Sequence, residues 1–213
     1  MNLPNALTVA RIALTPPVAL LPFADSPKVR LAAFLLFVLA GITDYFDGRL
    51  ARSRHDETDL GKLLDPLADK LLLVGTLVPM YVLGRDAFAF VTPAGRVGLT
   101  WWIVALVLGR EAFMTVFRQA AARGGVVIGA IGPAKWKTGM QLVWQGSAYF
   151  WFFAASLAAS RGWEGARAWR AFAYFNGTVG VVTMTAAVAL TLYSLVLYVR
   201  RYGDLLRAIV AGR

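Results

Sequence analysis

Six long apolar runs, each closed by a short group of Gly, Pro and charged residues, follow one another along the chain. They cover residues 3–23, 29–52, 60–83, 99–118, 138–159 and 172–198. A helix needs roughly 20 mostly apolar residues to cross the ~30 Å hydrocarbon core of a bilayer, so each run is long enough for one crossing. The pattern predicts an all-α integral membrane protein of six transmembrane helices, forming one domain over residues 1–213. Residues 84–97, 119–137 and 160–171 are the longer connectors, and their Gly, Pro and charged residues match loop chemistry. The first run has Arg11 as its only early cation and no small-x-small site after it, so a retained helix is expected there.

Composition agrees with this picture. The chain is 58% apolar and 16% charged, with a mean hydropathy of +0.59, far from the balance of a soluble domain. The absence of cysteine excludes disulfides, iron–sulfur clusters and thiolate zinc sites. A net charge of +10 raises the question of nucleic acid, but the cations sit in short loops between apolar runs and leave no basic face for a duplex. They bear on topology instead. Twelve of them (Arg49, Arg52, Arg54, Lys62, Arg118, Arg123, Lys135, Lys137, Arg200, Arg201, Arg207 and Arg213) fall on one side, against seven opposite. The positive-inside bias then places both termini on the cytoplasmic side of the cell's inner (plasma) membrane, where basic groups also meet anionic membrane lipids. The aromatic run YFWFF (149–153) and the pair Trp101–Trp102 read as lipid-facing or interfacial.

The acidic residues are distributed very unevenly. Seven of the twelve lie between Asp44 and Asp69. Asp44 and Asp47 are three apart at the end of the second run, and Asp65 and Asp69 four apart at the start of the third, so each pair shares one helix face. A short loop brings the two helix ends together, and four carboxylates converge near the membrane surface. Unneutralised charge at that depth is costly and by default marks a functional site. Arg49, Arg52, Lys62, Lys70, protons and divalent metal ions are all available partners, but an ion-pair network does not account for two same-face acidic pairs. Oxygen-only ligand sets suit Mg²⁺, Mn²⁺ or Ca²⁺, and two such ions on shared carboxylates form a clamp for phosphoryl displacement. Gly48, Ala51 and Gly61 allow close approach to the backbone, and the Arg52 guanidinium suits a pyrophosphate. His55, Asp56, Glu57 and Asp59 read as a solvated loop.

The whole pattern is Asp44-x2-Asp47-Gly48-x2-Ala51-Arg52-x8-Gly61-x3-Asp65-x3-Asp69. It resembles the signature of the CDP-alcohol phosphotransferase family. The segments NLPNALTVARIAL, LDPLADKLLL, GREAFMTVFRQAAARGGVVI and KWKTGMQ are similar to the bacterial phosphatidylglycerophosphate synthase branch of that family. Together they cover most of residues 2–142. One departure is Pro133-Ala134, where the branch has Gly directly before the first lysine.

The resemblance implies a six-helix membrane enzyme, usually a homodimer, that takes CDP-diacylglycerol as donor and releases CMP. It implies that Asp44, Asp47, Asp65 and Asp69 hold two divalent ions (Mg²⁺ or Mn²⁺), and that Asp69 also takes the acceptor's proton. Asp47, Gly48, Ala51, Arg52 and Gly61 would line the CDP site. If the acceptor is glycerol 3-phosphate, a second anion needs cations, and Arg110, Arg118, Lys135 and Lys137 are the candidates. Arg110–Glu111 also reads as a structural ion pair and Arg118 as an interfacial side chain.

Other acceptors within the family (inositol phosphate, phosphatidylglycerol as in a cardiolipin synthase, or serine) remain open at this stage. So do two readings outside it. An intramembrane prenyltransferase also uses two aspartate pairs, but in a longer chain and far apart; here 17 residues separate Asp47 from Asp65. A divalent-cation transporter places its acidic ring near the bilayer midplane, whereas these aspartates lie toward helix ends.

Overall fold

In the computed structural model the described backbone comprises residues 3–54, 59–85, 88–129 and 132–210, with side chains for 5–44, 64–85, 88–129 and 132–204. Six helices are present: α1 (Leu3–Leu20), α2 (Pro27–Arg54), α3 (Asp59–Leu83), α4 (Trp101–Arg123), α5 (Gly132–Arg161) and α6 (Arg167–Val210). Each overlays one expected run. By length and composition, three stretches of the described residues suit a membrane crossing: Asn5–Phe23, Leu64–Leu83 and Arg167–Asp204. Internal charges lower the other helices, with Arg110, Glu111 and Arg118 inside α4, and α5 is diluted by Gln, Ser and Gly.

The structure departs from the expectation in three places. The connector 84–97 contains a hairpin, β1 (Phe90–Thr92) paired antiparallel with β2 (Gly95–Val97). Gly95 has φ +128°, a region that an L side chain rarely adopts, so glycine closes this turn. The hairpin lies against α6, where a Cβ on Gly177 would collide with the Val91 carbonyl oxygen. Secondly, α6 continues past Tyr198, where the sixth apolar run ends, to Val210, with a kink at Tyr202 (φ −121°, ψ 21°).

Thirdly, three of the five rings of the YFWFF run are core. Tyr149, Trp151 and Phe152 are buried, while Trp101 and Trp102 are exposed as expected. α5 packs between α2 and α6, and its aromatic rings fill that seam. Phe37 of α2 stacks on Tyr149 with centroids 5.2 Å apart, and Trp169 of α6 stacks on Trp151 at 5.5 Å. Ser147 and Asn176 add buried hydrogen bonds across the same α5–α6 seam.

Prolines explain the position of one of these aromatics. Pro22 follows Val18 by four residues and Pro79 follows Gly75 by four, and neither has an N–H to return to the earlier carbonyl. The Tyr149 hydroxyl serves both, donating to Val18 O at 3.0 Å and more weakly to Gly75 O at 3.4 Å. Tyr149→Phe keeps the ring and removes that donor. It is expected to lower stability by about 1–3 kcal/mol, read as an earlier unfolding midpoint in detergent.

Candidate active site

The site is built on one face of α1. Asn5, Thr8, Arg11 and Thr15 recur at helical spacing within an apolar stretch, and all four are buried. A buried guanidinium requires charge partners. Arg11 Nη1 lies 2.9 Å from Asp44 Oδ1 on α2 and 2.9 Å from Asp69 Oδ1 on α3. One turn earlier, Thr8 Oγ1 donates to Asp65 Oδ1 at 2.6 Å. One turn later, Thr15 Oγ1 donates back to the Arg11 carbonyl at 2.9 Å.

Three of the four signature aspartates are thus brought together by α1 from two different helices. The Arg11 side chain is 2% exposed, whereas those of Asp44 and Asp69 are 47% and 60% exposed, so the carboxylates open outward from a buried cation. They open onto a cavity of about 160 Å³. Asp44, Asp69 and Lys70 form one wall, and Glu111, Lys137, Gln141 and Gln145 are among the residues of the other.

The opposite wall rests on an ion-pair cluster. Glu111 Oε1 accepts from Arg110 Nη1 at 2.9 Å and from Lys137 Nζ of α5. Arg110 is buried and its Nη2 also donates to Ser194 Oγ of α6 at 3.2 Å. Arg118 Nη2 donates to Tyr198 Oη at 3.1 Å, with its guanidinium 5.7 Å from the ring centroid. Of the four candidate acceptor cations, Lys137 lines the cavity; Arg110 and Arg118 are turned toward α6, and Lys135 is exposed. Asp47, Gly48, Ala51 and Arg52 lie on α2 and Gly61 on α3, but their side chains are outside the described residues, as is the 55–58 loop.

The residues that reading the chain missed are informative. Arg11 and Thr8 had a visible signal, since polar groups three apart inside a membrane-length helix demand partners. Gln141 and Gln145 had less, and Glu111 was expected as the partner of Arg110 alone, because only the packing of α4 and α5 brings all three to the cavity beside the aspartates.

The chain is also similar to known proteins. Residues 1–210 match the family model described as CDP-alcohol phosphatidyltransferase. A Rickettsia bellii protein named CDP-diacylglycerol–glycerol-3-phosphate 3-phosphatidyltransferase is 40% identical over 141 residues, 66% of this chain and 71% of that relative. A Bacillus subtilis protein of the same name is 37% identical over 154 residues, covering 67% and 73%. A Mycobacterium tuberculosis protein named probable phosphatidylglycerophosphate synthase is 36% identical over 138 residues, covering 63% of this chain and 57% of its own length. With its acidic pairs held on α2 and α3 and the family match extending over nearly its whole length, the chain belongs to the CDP-alcohol phosphatidyltransferase family.

Proposed function

We propose that the chain transfers the phosphatidyl group of CDP-diacylglycerol to glycerol 3-phosphate, giving phosphatidylglycerophosphate and CMP. The observation that carries this reading is the cavity with Asp44 and Asp69 on one wall and the Lys137–Glu111 pair on the other. It provides a carboxylate surface beside a place for a small anion. The names of the relatives point to the same donor and acceptor.

The donor set fits divalent ions in its chemistry. Asp44 and Asp69 approach one Arg11 nitrogen from two helices, so their oxygens already surround a positive charge, and no soft ligand competes. Among the described residues, which exclude the Asp47 side chain, no three acidic groups form a complete metal site. Asp44, Asp65 and Asp69, with Asp47, are the residues that would hold Mg²⁺ or Mn²⁺. When bound, such ions supply neutralisation of the phosphate charge in displacement.

The chain's own groups account for the rest. Asp69 accepts the proton of the acceptor hydroxyl as that oxygen bonds to the β-phosphorus of the donor. The bond from that phosphorus to the CMP oxygen breaks, and CMP leaves with the electron pair. Lys137 keeps two ammonium donors beyond the one given to Glu111, and these suit the acceptor phosphate. Arg110 and Arg118 hold α6 against this wall. The reading takes all six helices as crossing the membrane, with the aspartates toward the cytoplasm and the chain as a homodimer.

The test is CMP release by purified protein with CDP-diacylglycerol and Mg²⁺ or Mn²⁺, offering glycerol 3-phosphate, inositol phosphate, phosphatidylglycerol and serine separately. Release with glycerol 3-phosphate alone, abolished by EDTA, is expected. Release with another acceptor would keep the chemistry and change the substrate. No release with any of them would reopen a divalent-cation transport role, read as ion flux into vesicles.

A further inference from the structure

Two polar groups in the cavity have no work in the reaction as proposed. Gln145 is 4% exposed, lines the cavity, and its Nε2 has no hydrogen-bond partner among the described residues. Glu111 accepts both its side-chain donors, Arg110 and Lys137, on Oε1, so Oε2 takes no donor among the described residues. A buried amide donor left unpaired is unfavourable and calls for a partner that arrives from outside the chain. Turning the amide over would only exchange its donor for its acceptor.

The placement of these groups narrows the partner. Lys137, Gln141 and Gln145 are spaced four apart, so they line one face of α5, with Gln145 about 12 Å further along the helix than Lys137. The cavity wall therefore carries an ammonium and a neutral amide from α5 and a carboxylate oxygen from α4. An amide donor and a carboxylate acceptor match a hydroxyl, which accepts from one and donates to the other.

Resting on the proposed transfer to glycerol 3-phosphate, we infer that Gln145 and Glu111 form a recognition subsite for the acceptor hydroxyl that does not react. Gln145 Nε2 donates a hydrogen bond to that hydroxyl and Glu111 Oε2 accepts one from it. The subsite selects small polyol phosphates over phosphates with a single hydroxyl. Sites built to hydrogen-bond a hydroxyl reject analogues lacking it far more strongly than apolar pockets reject a missing methylene.

The experiment compares glycerol 3-phosphate with 3-hydroxypropyl phosphate, which lacks the second hydroxyl, on the full-length protein and on Gln145→Met. Because the amide has no internal partner, the variant is expected to melt no earlier than the parent. The parent should prefer glycerol 3-phosphate in kcat/KM by about tenfold or more, and the variant should lose that preference by slowing on glycerol 3-phosphate alone. Equal slowing on both acceptors, or an unchanged preference, would overturn the subsite. Calorimetric titration with glycerol 3-phosphate separates the two levels of inference. A parent that binds it without releasing CMP would sink the proposed reaction, unchanged affinity in Gln145→Met would sink the subsite, and a parent that does not bind it would sink both.

Discussion

Asp69→Asn is expected to lower CMP release by at least about a thousandfold while CDP-diacylglycerol still binds within a few-fold of the parent. General-base catalysis by a positioned side chain contributes about 10²–10⁴ in rate, and Asp69 also belongs to the proposed ion-holding set. Asparagine keeps an oxygen facing Arg11, so the 2.9 Å contact that joins α1 to α3 survives as a neutral hydrogen bond. The loss therefore reports chemistry and not collapse. Single-turnover CMP release and equilibrium binding of the lipid donor check the two halves separately, and a variant with near-parental turnover would remove Asp69 as the base.

The second large effect concerns Arg11. Removing the buried partner of a charge pair typically costs about 3–5 kcal/mol, and here one guanidinium serves two carboxylates. The carboxylates are about half exposed, and water would take up part of the loss, so Arg11→Met is expected to cost roughly 2–4 kcal/mol. Activity should fall as well, since Asp44 and Asp69 lose the group that holds them at a common point. Added Mg²⁺ should then raise the melting temperature of Arg11→Met more than that of the parent, because a divalent ion supplies the missing positive charge. Thermal unfolding in detergent across a Mg²⁺ series measures this, and equal shifts in both proteins would mean that Arg11 does not sit at the ion-holding carboxylates.

The two acidic pairs were readable from spacing alone, because helical periodicity puts residues three or four apart on one face whatever surrounds them. Their buried partners were not. Arg11 meets Asp69 across 58 residues of sequence, and nothing local to either announces the other. Hydropathy placed the helices correctly but misread the YFWFF run, since in a membrane protein lipid and core are equally apolar and only packing separates them. It also passed over the hairpin, whose three-residue strands are too short for an alternating pattern to be visible. Arg110 and Arg118 were legible as cations near the site, but their attachment to Ser194 and Tyr198 depends on where α6 returns.

The two carbonyls joined by the Tyr149 hydroxyl set a limit on how the molecule can deform. Thr8 meets Asp65, Arg11 meets Asp69, Thr15 lies against Gly75, and Val18 and Gly75 share Tyr149. Residue numbers rise together along both helices, so α1 and α3 run parallel and are fastened at successive levels. Shearing one past the other by a single turn would break the threonine, arginine and tyrosine contacts together. The pair therefore acts as one strut, and the wall of the cavity that carries Asp69 resists shear as a unit.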